Sequence, residues 1–281
     1  MALQGKYPEV FRRARWQWIS QCLCWGALAA FVVYGLWRFE ATPERLLGGL
    51  GEIGVIANDM FPPSFGGAER ELVMALGESL AMAFMGTLIA SVLAFPLGIL
   101  GARNVLPNWV FHFVLRRHFD AVRGVDPLVW ALVYVRAVGL GPIAGTLAIA
   151  TSDMGTLSKL YAEAIESAEK RQADGVRAAG ASEAAVVRLG ILPQVLPVML
   201  SNTLYMFESN TRSATILGIV GAGGIGFQLS DRIRAHRWDE VSMIILMIIA
   251  LVACIDLLSH FARKRLIEGR GNGRKGEPGH H

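Results

Sequence analysis

Between Leu192 and Val220 an otherwise apolar segment, about the length of a membrane span, carries Asn202, Glu208, Ser209 and Arg212 together with further Ser, Thr and Asn residues. Charge in hydrocarbon is costly unless it faces protein, water or a partner, so this helix must line a cavity or bury a polar interface. Glu208 and Arg212 stand four residues apart, the helical spacing that puts two side chains on one face and permits an ion pair. Asn202, Ser209 and Arg212 fall within about one third of the circumference at the 3.6-residue period. Two chemistries suit this pattern, and they are compatible. Either the pair neutralises itself as a staple between helices, or the face lines a path in which Arg212 offers charge-assisted hydrogen bonds to a passing oxyanion. A third reading makes Glu208 a base and Ser209 a nucleophile. It fails on geometry, because successive helical residues do not face each other and no orienting third group follows.

Arg136 is a second intramembrane cation, just before Gly139-Leu140-Gly141-Pro142. Its long side chain either snorkels to the surface or stands beside the free backbone groups of the broken segment as an anion gate. Gly221-Ala222-Gly223-Gly224-Ile225-Gly226 matches the dinucleotide pattern GxGxxG, yet it follows a membrane helix and no parallel strand. It reads as a turn or a close helix contact. Cys22, Cys24 and Cys254 lie in apolar spans without CxxC spacing, and His112, His118, His236 and His260 lack ligand spacing, so no metal site is expected. No Gly-x4-Gly-Lys-Ser/Thr phosphate loop occurs. If the protein is a pump, its motor is another polypeptide.

The elements that position these residues follow from composition. The chain has 281 residues, of which 53% are hydrophobic and 18% charged. Span candidates run over Gln17–Trp37, Leu72–Leu100, Leu192–Val220 and Val241–Phe261. Lys6, Arg12, Arg13 and Arg15 precede the first, which has no convincing cleavage site and is read as a retained helix with a cytoplasmic N-terminus. The linker from Arg38 to Glu71 carries six acidic and three basic residues and is placed outside, whereas the loop from Arg103 to Arg123 is basic and stays inside. A second basic stretch begins at Lys159, so an even number of crossings must lie between them. Two short helices, Asp126–Val138 and Pro142–Leu157, turning near the outer face inside the bundle, meet that need; a re-entrant loop also would. The expected fold class is an all-α polytopic membrane protein of about six transmembrane helices with both termini cytoplasmic, consistent with Arg263, Lys264 and Arg265 after the last span.

The island from Lys159 to Pro197 is charged and helix-prone, and a membrane protein that keeps such a segment outside the bilayer presents it to something. Gly180-Ala181-Ser182 divides it into two helices: Gly relieves a sharp turn, and Ser can cap the helix that follows. With Gly180, Leu192 and Pro193 in place, and Asp174-Gly175-Val176 where an acidic-Ala-Ala run stands, the island resembles the EAA loop of ABC-importer permeases. The strings DPLVWALVYVRAVGLGP, YAEAIE, GILPQVLP and FESNTRSATILGIVGAGGIG are similar to the phosphonate-type branch, and with the final apolar helix the likeness covers Val125 to Arg265.

That resemblance implies a type I importer permease in a bacterial inner membrane. It implies a homodimer embedded in lipid, with two ATPase subunits that bind ATP and Mg, a periplasmic solute-binding protein, and neither cofactor nor nucleic acid on this chain. It implies cargo such as phosphonate, phosphite or hypophosphite, with another small solute such as an amino acid as the alternative. Glu163, Glu166, Asp174, Gly180, Ala181, Ser182, Leu192 and Pro193 become the residues expected to couple to the ATPase. Arg136, Asn202, Glu208, Ser209 and Arg212 become the expected substrate path. The expected organisation is an N-terminal span with external linker over 1–71, a permease core over 72–267 and a disordered tail over 268–281.

Overall fold

The computed structural model describes residues 15–40, 42–105 and 109–271, in two compact units, Met1–Asp59 and Met60–His281. The N-terminal charges up to Arg13 and the end of the tail, 272–281, lie outside the described residues. In the first unit, α1 (Arg15–Arg38) is followed by α2 (Pro43–Asp59). The linker therefore contains a helix, and its sequence explains why. Pro43 opens it with a preset φ, Glu44 complements the N-terminal dipole, and Thr42 Oγ1 accepts the Arg45 N–H at 3.3 Å.

The second unit comprises α3 (Glu69–Gly101), α4 (Trp109–Arg123), α5 (Pro127–Val138), α6 (Pro142–Glu166), α7 (Lys170–Ala178), α8 (Glu183–Ala222), α9 (Gly224–Arg234) and α10 (Trp238–Gly271). Helices α1, α3, α8 and α10 are long and apolar enough to cross a membrane, and α5 is a shorter apolar helix. The centre of the unit is the α3–α6 pair. A Cβ at Gly86 would stand 2.7 Å from the Ile149 side chain, one at Gly98 2.6 Å from Tyr161, and one at Gly145 would collide with Met82. These pairs keep one constant offset in sequence, so the helices run parallel in a single register. Small residues at the seam let the backbones approach, which is how helices associate where lipid removes the hydrophobic drive.

Beside α6 the chain runs antiparallel as α4 and then α5. Arg116 reaches Glu166, Asp120 reaches Lys159, the α4 backbone from Phe119 to Arg123 closes on Gly155, and the Tyr134 hydroxyl meets Thr151 at 2.8 Å. The helix breaks at Gly124–Asp126, where the Asp126 carboxylate accepts the Leu128 N–H at 2.8 Å and starts α5. Two expectations are corrected here. The helix after Pro142 does not stop at Leu157 but has 25 residues, because Ser158, Tyr161, Ala162 and Ile165 extend its buried face and Lys159 is neutralised by Asp120. The island accordingly begins after Glu166. Helix α5, by contrast, is not enclosed within this chain: Ala131 is buried, while Val129, Leu132, Val133 and Val138 stay about half exposed.

The glycine-rich stretch is a close helix contact and not a nucleotide loop. Gly221 and Gly223 adopt φ of 100° and 78°, the Gly141 N–H donates to the Gly221 carbonyl at 3.0 Å, and Gly226 lies against the Thr215 carbonyl. A Cβ at Gly226 has no space. Gly226→Val is therefore expected to lower the midpoint of thermal unfolding of the detergent-solubilised protein by an amount corresponding to about 3 kcal/mol or more, whereas Gly77→Ala, in open space within α3, does not lower it and raises it slightly.

Candidate functional site

The exposed elbow between α7 and α8 turns on Gly180, whose φ of 81° lies in the left-handed region. Arg177 locks it. Its Nε and Nη2 donate to both Glu183 oxygens at 2.9 and 3.0 Å, and its Nη1 to Asp174 at 2.8 Å, so one planar guanidinium spans the turn. The hydrogen bond from Arg177 holds the Glu183 carboxyl below the usual carboxylate range. Ser182 occupies the N-cap position, but its hydroxyl makes no capping bond, contrary to expectation; its carbonyl, accepting the Val186 N–H at 2.9 Å, begins the helix.

The elbow is seated by local chemistry. Gly190 lets Ala173 of α7 pack against α8, its Cβ position lying 3.0 Å from the Ala173 Cα. The Gln194 side chain accepts the Glu169 N–H at 2.9 Å. Over Val186–Ile191 the helix widens to π geometry, with the Leu192 N–H bonded to the Val187 carbonyl. Pro193 follows at once: it has no N–H to give and its ring would crowd the preceding turn, which the extra residue relieves. Glu163, Asp174, Gly180, Ser182 and Pro193 are exposed, and Ala181 and Leu192 are partly buried. Glu166 is engaged within the chain. It accepts the Arg103 N–H at 2.9 Å and an Arg116 guanidinium N–H at 2.8 Å, while Asn104 donates to the Ile165 carbonyl at 2.8 Å. Glu166 thus ties the end of α6 to the middle of α4 and to the residues that follow α3.

The expected Glu208–Arg212 pair does not form. Glu208 accepts a hydrogen bond from Arg263 of α10 at 2.6 Å, and Arg212 lies 3.5 Å from Asp256, also on α10. Helices α8 and α10 pack antiparallel, and Glu208 and Arg212 each meet an opposite charge on the neighbour before they meet each other. Ser209 uses its carbonyl to accept the Ser213 hydroxyl, and Asn202 is partly buried. Arg136 lies apart on the exposed side of α5, in a shallow apolar groove with Val129, Leu132 and Val133.

The most buried polar cluster among the described residues escaped the sequence reading. Asp153 of α6, Asn210 of α8 and Thr87 of α3 are almost fully buried where the three helices meet. Asn210 Nδ2 donates to Asp153 and, at 2.8 Å, to the Thr87 hydroxyl. An acid inside the apolar run of α6 was the signal available. A second cluster holds the start of α10: Arg232 is buried against Glu240 at 3.1 Å, and Arg237 reaches the same carboxylate at 2.8 Å.

Residues 94–268 match the family model of the binding-protein-dependent transport system inner membrane component. The chain belongs to that family. The permease is 38% identical over 219 residues to the phosphite transport system permease protein PtxC of Stutzerimonas stutzeri, a match covering 78% of this chain and 79% of that protein. It is 39% identical over 249 residues to the phosphate-import permease protein PhnE of Mycolicibacterium smegmatis, covering 89% of this chain and 46% of that longer protein. A solved chain of the MetNI methionine ABC transporter superposes with a TM-score of 0.62 at 20% identity, covering 69% of the permease and 95% of that chain, a likeness of fold. The permease is thus an all-α, multi-pass membrane component of an ABC importer, working with a solute-binding protein and an ATPase. It is a transport subunit and not an enzyme.

Proposed function

We propose that this permease passes phosphonate, or a related phosphorus oxyanion such as phosphite or hypophosphite, as a homodimer in a bacterial inner membrane. Two partner subunits bind ATP and Mg and hydrolyse ATP, a periplasmic solute-binding protein delivers the anion, and both termini lie in the cytoplasm. The observation that carries the cargo class is the 38% identity to a permease named for phosphite, extending over most of both chains. Arg212, half exposed and only loosely held by Asp256, and Arg136 supply guanidinium groups suited to such anions. The amino-acid alternative gains nothing from the methionine transporter, since that likeness is one of fold. Proteoliposomes containing the whole complex decide the matter: ATP-dependent uptake of phosphite or methylphosphonate is expected, and uptake of methionine in their place would overturn the reading.

The elbow is the proposed contact with the ATPase, with Glu163, Asp174, Gly180, Ala181, Ser182, Leu192 and Pro193 at or beside its surface and Glu166 tying the end of α6 to α4. Proline cannot adopt the φ of 81° at Gly180. Gly180→Pro, and a charged side chain in Ala181→Glu, are expected to leave a permease that still purifies but stimulates ATP hydrolysis by its partner at least about tenfold less. Normal stimulation in both variants would remove the elbow from the coupling interface.

A further inference from the structure

Where α4 packs along the inner half of α6, a cavity of about 540 Å³ is lined by Arg117, Asp120, Arg123, Gly124, Thr156 and Lys159. Its charge is unbalanced. Lys159 and Arg117 both lie 2.8 Å from Asp120, and Arg123 lies 3.6 Å from it, so three cations share one carboxylate. The carboxylate keeps the three cations together, and Gly155 keeps the two helices close enough to hold the cluster. A Cβ there would stand 3.0 Å from the Phe119 carbonyl and 3.1 Å from the Arg123 nitrogen. The arrangement holds net positive charge at a fixed place in an open groove, with Arg117 and Arg123 about half exposed.

The depth of the cluster bears on what could match it. In the register of α3 and α6 Lys159 stands level with Pro96, about 36 Å along α3 from Leu72 at 1.5 Å per residue, and the hydrocarbon core is about 30 Å thick. With Leu72 at the outer boundary, Lys159 reaches the level of the inner headgroups. That is where basic residues meet the anionic lipids of the cytoplasmic leaflet.

The geometry points to an oxyanion site for a phosphoryl group, filled by the headgroup of an anionic phospholipid of the inner leaflet. Lys159 and Arg123 face the phosphoryl oxygens and Arg117 closes the open side, while Thr156, whose hydroxyl donates to the Ser152 carbonyl at 3.4 Å, lines the wall. Asp120 competes with the ligand for the same three cations. The site depends on the membrane placement of α6 and not on the cargo proposed above. A free phosphorus oxyanion presents the same chemistry, so the two sources are separated by the probe.

The test uses the full chain in detergent, titrated with dioctanoyl phosphatidylglycerol, dioctanoyl phosphatidylcholine or methylphosphonate and read by native mass spectrometry. Saturable binding of phosphatidylglycerol over phosphatidylcholine is expected, and Arg117→Gln with Arg123→Gln should weaken it by about tenfold or more. Asp120→Asn should strengthen it several-fold, a gain that misfolding cannot produce. Saturable methylphosphonate binding with the same order of variants, and no lipid preference, would assign the oxyanion site to a free solute. Equal binding of every probe by wild type and variants would overturn the site.

Discussion

Asn210→Leu is expected to destabilise the permease strongly. Asn210 is 3% exposed, and its amide is the described hydrogen-bond donor to the Asp153 carboxylate as well as a donor to Thr87. Leucine is close to asparagine in size but gives neither bond, leaving a buried carboxyl group without a partner. An ordinary hydrogen bond between membrane helices contributes about 0.6 kcal/mol, whereas stranding a buried polar group costs about 1–3 kcal/mol and more when it is charged. The second effect decides the size, so a loss of about 3 kcal/mol is expected, read as a fall in the thermal midpoint of the detergent-solubilised permease. Adding Asp153→Leu to Asn210→Leu should recover much of that loss, because no polar group is then stranded. An Asn210→Leu protein as stable as wild type would show that the three-helix junction is held by packing alone.

The sequence made the membrane class legible because apolar runs of the right length leave few alternatives, and α1, α3, α8 and α10 stand within a few residues of the spans expected except where α8 begins earlier, at Glu183, and α10 runs on to Gly271. Gly180 was legible for a similar local reason: a sharp turn between two helices needs a residue that tolerates positive φ. What failed were judgements that required the neighbour. Lys159 looked like the start of a polar island, yet Asp120, on another helix, makes it admissible within α6. The spacing of Glu208 and Arg212 licenses a pair on an isolated helix, but the i, i+4 rule is worth only about 0.2–0.5 kcal/mol and yields to a better-placed partner. Asp153 was overlooked because a lone acid in an apolar run shows its role only when Asn210 and Thr87 are folded against it.

The ion pairs between α8 and α10 separate holding from transporting. Glu208 is 13% exposed at its side chain and lies 2.6 Å from Arg263, whereas Arg212 and Asp256 are nearly half exposed and 3.5 Å apart. Arg263→Gln should therefore cost more stability than Glu208→Gln, since the carboxylate is left buried, while Arg263, beside Lys264 and Arg265 past the apolar run of α10, can extend its side chain toward water. The double change Glu208→Gln with Arg263→Gln should restore assembly and uptake together, as a staple requires. The Arg212–Asp256 pair is expected to behave differently. Its looser geometry leaves guanidinium N–H groups of Arg212 for an oxyanion, so Arg212→Gln with Asp256→Asn should assemble normally yet take up phosphite at least about tenfold more slowly in proteoliposomes of the whole complex. The difference between the two double variants is the informative measurement, because both remove one cross-helix pair and leave no charge unmatched. Uptake at the wild-type rate by the Arg212–Asp256 double variant would make that pair a second staple and remove Arg212 from the substrate path.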